Sequence, residues 1–237
     1  MSENDGPAVI YKEANPYETL LTLAKSRYSC RAFEARPVAR NDIERILEIA
    51  RTAPSDCNTQ PASIFIISGL ALEGLRSEIY EAAATGIERT SDIPPIVAYT
   101  GVFQERRREC GWALYNAVGV ERGDRDGSGR QALENFRFFG APHLAVVTSH
   151  KDLAERGLFD TGIYLGHLLL GAQAMGVAAV AQGSIAHYAD VIRKYAPIST
   201  DLRVICGVSF GYEWKDHSAN SFRTGRMELD ETAVFVD

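Results

Sequence analysis

Residues 163–181 carry no formal charge, and this run limits the fold more than any other stretch of the chain. A run of this length and apolarity suits either a membrane-spanning helix or a helix buried at the centre of a globular domain. Its interior favours the second. His167, Gln173 and several glycines interrupt it, and Met175-Gly176 has the form of a helix stop. The Val- and Ala-rich residues 177–181 then read as a strand. The expectation is a long central helix capped by Asp160 and ending at Met175. Gly162 and Gly166, one turn apart on it, permit close approach of another helix.

The other elements follow from periodicity and punctuation. Asn15-Pro16 supplies a cap and a first-turn proline, and Leu20, Leu23 and Ala24 form an apolar stripe up to Lys25-Ser26. A second helix is expected from Asn41, with Glu44 as its capping-box partner and Ile43, Ile46, Leu47 and Ala50 at helical spacing. A third spans 72–85. Residues 63–68, 144–148 and 202–210 read as strands, residues 131–139 as a short helix, and residues 187–195 as another. The signal weakens between 93 and 129, where 109–118 reads as helical and the glycine-rich 123–129 as a loop. The tail 232–236 is strand-like without a nearby partner, so it is expected to pair with something remote, such as a second subunit. Strands and helices alternate without a strict βαβ rhythm, which points to an α+β layered domain with a central mixed sheet. No internal repeat or domain boundary is visible, and the 237 residues read as one domain, 1–237.

Charge and cysteine usage narrow the function. The formal net charge of -6 disfavours nucleic acid as a partner. The basic run Arg106-Arg107-Arg108 lies between Glu105 and Glu109 and reads as a solvated helix face. The N-terminal residues lack a basic segment followed by an apolar core, so no secretory signal is expected and no membrane partner. Cys30, Cys57, Cys110 and Cys206 are scattered, which argues against a metal site or disulfide frame and for a reduced, cytoplasmic setting.

Four segments can carry chemistry. Arg27, Tyr28, Ser29, Cys30 and Arg31 follow the first helix directly. Extended chain would turn Arg27, Ser29 and Arg31 to one side, where two planar guanidinium groups and a hydroxyl can grip a phosphate or carboxylate. The competing reading is a surface ion-pair network with Glu34 or Asp42. Residues 54–61 hold polar side chains between two prolines, suited to the edge of a heterocycle, and equally to a plain turn. Asn220, Ser221, Phe222, Arg223, Thr224 and Arg226 add two cations near the end of the chain. Gln182, Gly183 and Ser184 follow a strand, where backbone N–H groups beside glycine can approach a ring. No zinc-protease helix or phosphate-binding loop is present. His167 is read as a satisfied core or site-lining histidine rather than a metal ligand.

Taken together these segments resemble the FMN-dependent nitroreductase family. The likeness is carried by residues 27–33, by Ala53-Pro54-Ser55-Asp56-Cys57-Asn58-Thr59-Gln60-Pro61, by residues 135–142, by Asp160 and Gly162, and by residues 220–226, in that order. The resemblance implies a homodimer with FMN sites at its interface, a C-terminal strand exchanged between subunits, a variable lid at 93–130 and a C-terminal arm at 220–237. It places Arg27 and Ser29, within the cluster that includes Tyr28, on the FMN phosphate with Arg223 and Arg226, and Arg31 at the pyrimidine edge. Pro54, Ser55, Asp56 and Asn58 would come from the other subunit. Gln131 would touch the flavin, and Gln182 and Gly183 would lie near its N5 side. No protein acid–base pair is expected, because the flavin carries the reaction: ping-pong reduction of a small nitroaromatic substrate by NADH or NADPH.

The chain departs from the family pattern at three places. Ala62 stands where tryptophan is usual, Asp56 where serine or glycine is common, and Gly166-His167 where glutamine is frequent. These bear on the substrate more than on the cofactor. Enone or quinone reduction and reductive dehalogenation remain open on the same scaffold, as does FMN binding without turnover.

Overall fold

The structure is a computed structural model and describes residues 15–236. Its order is α1 (Pro16–Ser26), α2 (Arg40–Ala50), β1 (Ala62–Ser68), α3 (Gly69–Thr85), α4 (Gly101–Ala117), α5 (Arg125–Leu133), β2 (His143–His150), α6 (Ala154–Ala174), β3 (Ala178–Gln182), α7 (Ala189–Arg193), β4 (Leu202–Gly211) and α8 (Leu229–Thr232), with short 3-10 turns between. The sheet runs β1-β2-β4-β3, and every neighbouring pair is antiparallel. The expected mixed sheet is thus reduced to one parallel element, a bridge between Ser29 and Ala179. That bridge occupies the outer side of β3 and leaves the outer side of β1 as the open edge.

Two cores cover the two faces. Leu72, Leu75 and Ile79 of α3 pack with Phe138, Leu144 and Val204 on one side. Ile43 and Ile46 of α2 and Leu168 and Ala172 of α6 pack with Val147 and Val208 on the other. β2 is central and buried along nearly its whole length, as its run of apolar residues requires. Gly207 on β4 lies under Ile185 and Leu144, where a Cβ would come within 2.9 Å of the isoleucine side chain.

Several expectations are corrected. α6 begins at Ala154, so Asp160 is not its cap but an interior residue, 4% exposed, that accepts the Asp56 N–H. Gly162 and Gly166 face open space, and the close helix crossing uses Gly171 instead, whose Cβ position lies 3.3 Å from the Ile46 carbonyl. α2 starts one residue before Asn41 and has no side-chain cap. The expected loop at 123–129 is largely helix, because the Asp124 side chain caps it at the Gly127 N–H. The expected helix at 131–139 is the end of α5 followed by a turn in which Phe138 and Phe139 both take positive φ. Residues 187–195 form a 3-10 turn and the short α7. The tail 232–236 is no strand here: α8 ends at Thr232, and Val234, Phe235 and Val236 are 83–91% exposed. The Leu20–Ala24 stripe of α1 also finds little cover, since none of its helix is buried.

His143 carries a pH dependence. Its Nε2 accepts the Val38 N–H at 2.9 Å, its Nδ1 meets the Ser68 hydroxyl, and its ring stacks on Phe210. Nε2 must therefore be unprotonated, and burial lowers the pKa below the ordinary 6.5. The unfolded chain binds a proton there at higher pH than the folded one. The contribution to stability is full above pH 6.5 and is lost as pH falls toward the folded value. Urea midpoints should fall as pH is lowered from 6.5, and His143→Asn should flatten that slope. An unchanged slope would remove His143 as its source; His187, also lowered by burial and by Arg89, would then be the next histidine to substitute.

Candidate functional site

The chain leaves α1 at Arg27 in extended conformation. Ser29 bridges Ala179, and the Cys30 N–H donates to the Ala179 carbonyl at 3.3 Å. Phe33 bridges Glu213, and the Glu34 N–H donates to Tyr212. This sheet-like pairing turns Cys30, Ala32 and Phe33 into the core and leaves Arg27, Ser29 and Arg31 half-buried on the outer side.

Those three residues, with Tyr28, Arg223 and Arg226, line one cleft of about 700 Å³. Residues 27–31 and 223–226 therefore meet from opposite ends of the sequence. The meeting is built by Asn220, 3% exposed. Its Oδ1 accepts the Arg31 N–H at 2.8 Å, and its Nδ2 donates to the Ala32 and Trp214 carbonyls at 2.9 and 3.0 Å. Arg223 then turns back and donates to the Asn220 and Phe222 carbonyls. Arg226 donates to Thr224 and Gly225.

The electrostatics of this cleft are unusual. Among the described residues none of Arg27, Arg31, Arg223 and Arg226 is ion-paired with a carboxylate. The expected alternative network does not form: Glu34 faces Arg36, and Asp42 makes no ion pair among the described residues. Burial, and next the charge of Arg226, lower the pKa of Arg27; burial lowers that of Arg31. Two guanidinium groups that repel each other across a half-buried cleft, with a hydroxyl beside them, match a dianion. Glu213 instead accepts the Tyr28 O–H, while Glu109 and Glu231 line a neighbouring cleft that Arg223 and Arg226 also border.

Arg31 also walls a second cleft of about 540 Å³, shared with Arg130, Gln131, Glu134, Trp214 and His217. Gln131 thus lies on the far side of Arg31 from the phosphate-like cleft. Gln182 is buried, and both ends of its side chain are engaged: Nε2 donates to Asn135 at 2.9 Å and Oε1 accepts the Ser209 hydroxyl. Gly183, directly after β3, is exposed and offers its backbone.

Pro54, Ser55, Asp56 and Asn58 line neither cleft. Their loop is held by its own hydrogen bonds and by α6. Ser55 Oγ accepts the Gln60 N–H at 2.9 Å, the Asp56 N–H is fixed on Asp160, and Cys57, Asn58 and Gln60 all take positive φ. Asp56 lies 3.5 Å from Arg156, which offsets the negative charge noted as a departure. His167 folds onto the Ile163 carbonyl of its own helix at 3.0 Å, and no His, Cys, Asp or Glu cluster of metal-binding form exists among the described residues. The four cysteines are free. No helix among the described residues is long and apolar enough to cross a membrane.

Asn220 and Asn135 both fall in segments quoted for the family likeness but without an assigned role, and Glu213 lies outside those segments. The available signal was the polar Asn220 just ahead of the two tail arginines; nothing in the sequence marked Glu213.

Comparison with known proteins adds to this geometry. The model of the nitroreductase family matches residues 24–212. Nitroreductase NfnB of Mycolicibacterium smegmatis (strain ATCC 700084 / mc(2)155) is 35% identical over 215 residues, 90% of this chain and 91% of its own length. A 4-nitrobenzoate reductase of Pseudomonas putida is 31% identical over 206 residues, 85% of this chain and 88% of its own. The crystal structure of the FMN-dependent nitroreductase NfnB from Mycobacterium smegmatis in complex with NADPH superposes with a TM-score of 0.89 at 32% identity, over 94% of this chain and all of that one.

Proposed function

The chain belongs to the nitroreductase family, and from that premise we propose that it is an FMN-dependent oxidoreductase that reduces nitroaromatic compounds with NADH or NADPH. The observation that carries the reading is the cleft in which four arginines, without carboxylate partners among the described residues, meet Ser29. A bound FMN would supply hydride acceptance from the nicotinamide and hydride delivery to the nitro group, in a ping-pong sequence. Everything else is asked of the protein.

Arg27, Ser29, Arg223 and Arg226 hold the FMN phosphate, and Tyr28 flanks them. Arg31, between the two clefts, lies at the pyrimidine edge and offsets the negative charge that builds there during reduction. Gln131 lies on the same side of Arg31. The Gly183 backbone, next to the committed Gln182, faces the N5 side. No side chain is asked to act as acid or base.

The site is completed by a second copy of the chain. Pro54, Ser55, Asp56 and Asn58 line neither cleft of their own subunit and are placed to serve the other one. Gly162 and Gly166 on α6 face open space, as a helix crossing between subunits requires. The exposed tail Val234, Phe235 and Val236 suits the open outer edge of β1 on the partner, which would explain both an apolar tail and an unprotected edge strand. In this reading residues 1–237 are one domain, residues 93–130 are a lid, and residues 220–237 are the arm that reaches across.

Steady-state oxidation of NADH or NADPH with a dinitroaromatic acceptor is the test. Turnover with parallel double-reciprocal lines is expected. No turnover of any nitro compound by an FMN-loaded sample would refute the reading.

A further inference from the structure

We propose that Tyr28 is a positioning residue that holds Arg223 in place for the FMN phosphate, with Glu213 as the anchor that holds Tyr28. The inference rests on reading this cleft as the FMN phosphate site.

The geometry is a reciprocal clasp between two distant segments. The Arg223 guanidinium lies 3.5 Å from the centroid of the Tyr28 ring. The Arg31 guanidinium lies 5.5 Å from the centroid of the Phe222 ring. Each segment thus carries the other's cation on an aromatic face, and the Asn220 side chain pins the crossing. The Tyr28 contact is the tighter one. Its ring packs against the sheet core and its O–H donates to Glu213, so the face offered to Arg223 is fixed. Burial, then the bond to Glu213, push the phenol well above its ordinary range, which keeps the O–H protonated and donating.

The energetic reason is preorganisation. Arginine loses much rotamer freedom when it is fixed on a ligand. Arg223 is exposed and sits on an arm that has left the sheet. The stacked ring, with the two bonds from Nη1 to backbone carbonyls, fixes its plane before the ligand arrives. Glu213 could have paired with an arginine directly and weakened the anion site. By accepting the phenol O–H instead, it enriches the ring that faces the cation and leaves the guanidinium available.

The test separates phosphate grip from general loosening. Holoprotein is equilibrated with mixtures of FMN and riboflavin, and the bound flavins are quantified after rapid gel filtration. Riboflavin lacks only the phosphate. Tyr28→Leu should lower the preference for FMN over riboflavin by about tenfold, between the scales of an exposed and a desolvated cation–π contact. Tyr28→Phe, which keeps the ring and loses the bond to Glu213, should lower it by about threefold or less. In an Arg223→Ala background Tyr28→Leu should cause no further change. A Tyr28→Leu protein that loses both flavins in proportion, or keeps the full preference, overturns the inference. So does an undiminished effect in the Arg223→Ala background. A wild-type protein that binds no FMN at all overturns the function proposed above, and this inference with it.

Discussion

Asn220→Ala should give a protein about 2–4 kcal/mol less stable that elutes from gel filtration without flavin. The estimate comes from what the side chain does. It makes three hydrogen bonds at 2.8–3.0 Å in a buried position, each contributing about 1 kcal/mol net. The losses are unequal. The Ala32 carbonyl would still accept the Trp214 N–H, and the Trp214 carbonyl the His217 N–H. The Arg31 N–H would have no partner, and an orphaned buried donor costs ~1–3 kcal/mol in place of its bond's share, while the two carbonyls that keep a partner lose less than theirs. Asn220→Asp should rescue little. It keeps the acceptor for Arg31 but turns an oxygen toward two carbonyls that need a donor. Urea unfolding gives the stability, and absorbance of the eluted protein gives the flavin content. A variant with an unchanged midpoint and full flavin would show that the arm is held by something other than this side chain.

Asn220 also marks the boundary of what the sequence made legible. Elements whose evidence is local were readable. The strands at β1, β2 and β4 and the helices α1, α2 and α3 announce themselves by apolar spacing, by Asn15-Pro16 and by turn residues. Elements whose evidence is tertiary were not. Asp160 looks like a cap because it precedes an apolar run, yet the helix begins a turn and a half earlier, and the carboxylate is occupied by the Asp56 N–H. Residues 123–129 look like a loop because of their glycines, yet one hydrogen bond from the Gly127 N–H to Asp124 is enough to start α5. Phe138 and Phe139 at positive φ have no local signature, since only burial against the sheet can offset that backbone cost. The tail reads as a strand because alternation reports what a segment can pair with. It does not report whether the partner lies in the same chain.

The candidate site divides along the same line. That Arg27, Ser29 and Arg31 would share a side follows from the two-residue period of extended chain. That they would meet Arg223 and Arg226 does not follow from any spacing: it depends on a crossing between segments nearly 200 residues apart, made by Asn220 and Tyr28. That Arg27, Ser29 and Arg31 stay out of an ion-pair network among the described residues goes with Glu34 turning to Arg36 and Glu213 turning to Tyr28. Neither choice is visible in the order of residues.

Arg27→Ala should move two stabilities in opposite directions, which distinguishes a phosphate ligand from a structural cation. Arg27 and Arg226 repel each other across a half-buried cleft, and burial already lowers the Arg27 pKa. Without a bound dianion, removing one of the two charges relieves that repulsion, so the flavin-free chain should unfold at the same temperature as the wild type or slightly higher. With FMN present the sign reverses. A hydrogen bond to a charged group contributes about 1.5–3 kcal/mol, so FMN affinity should fall by roughly 10- to 150-fold. The stabilisation conferred by a fixed excess of FMN should fall by the same free energy, through mass action alone. Arg27→Lys should lie between the two, because lysine keeps the charge and loses the planar fork that bonds two phosphate oxygens at once. Thermal melts with and without FMN, on all three proteins, measure both quantities. If the flavin-free melt of Arg27→Ala falls while FMN still raises it as far as in the wild type, Arg27 is a structural residue. The phosphate grip would then rest on Ser29 and the two arginines of the arm.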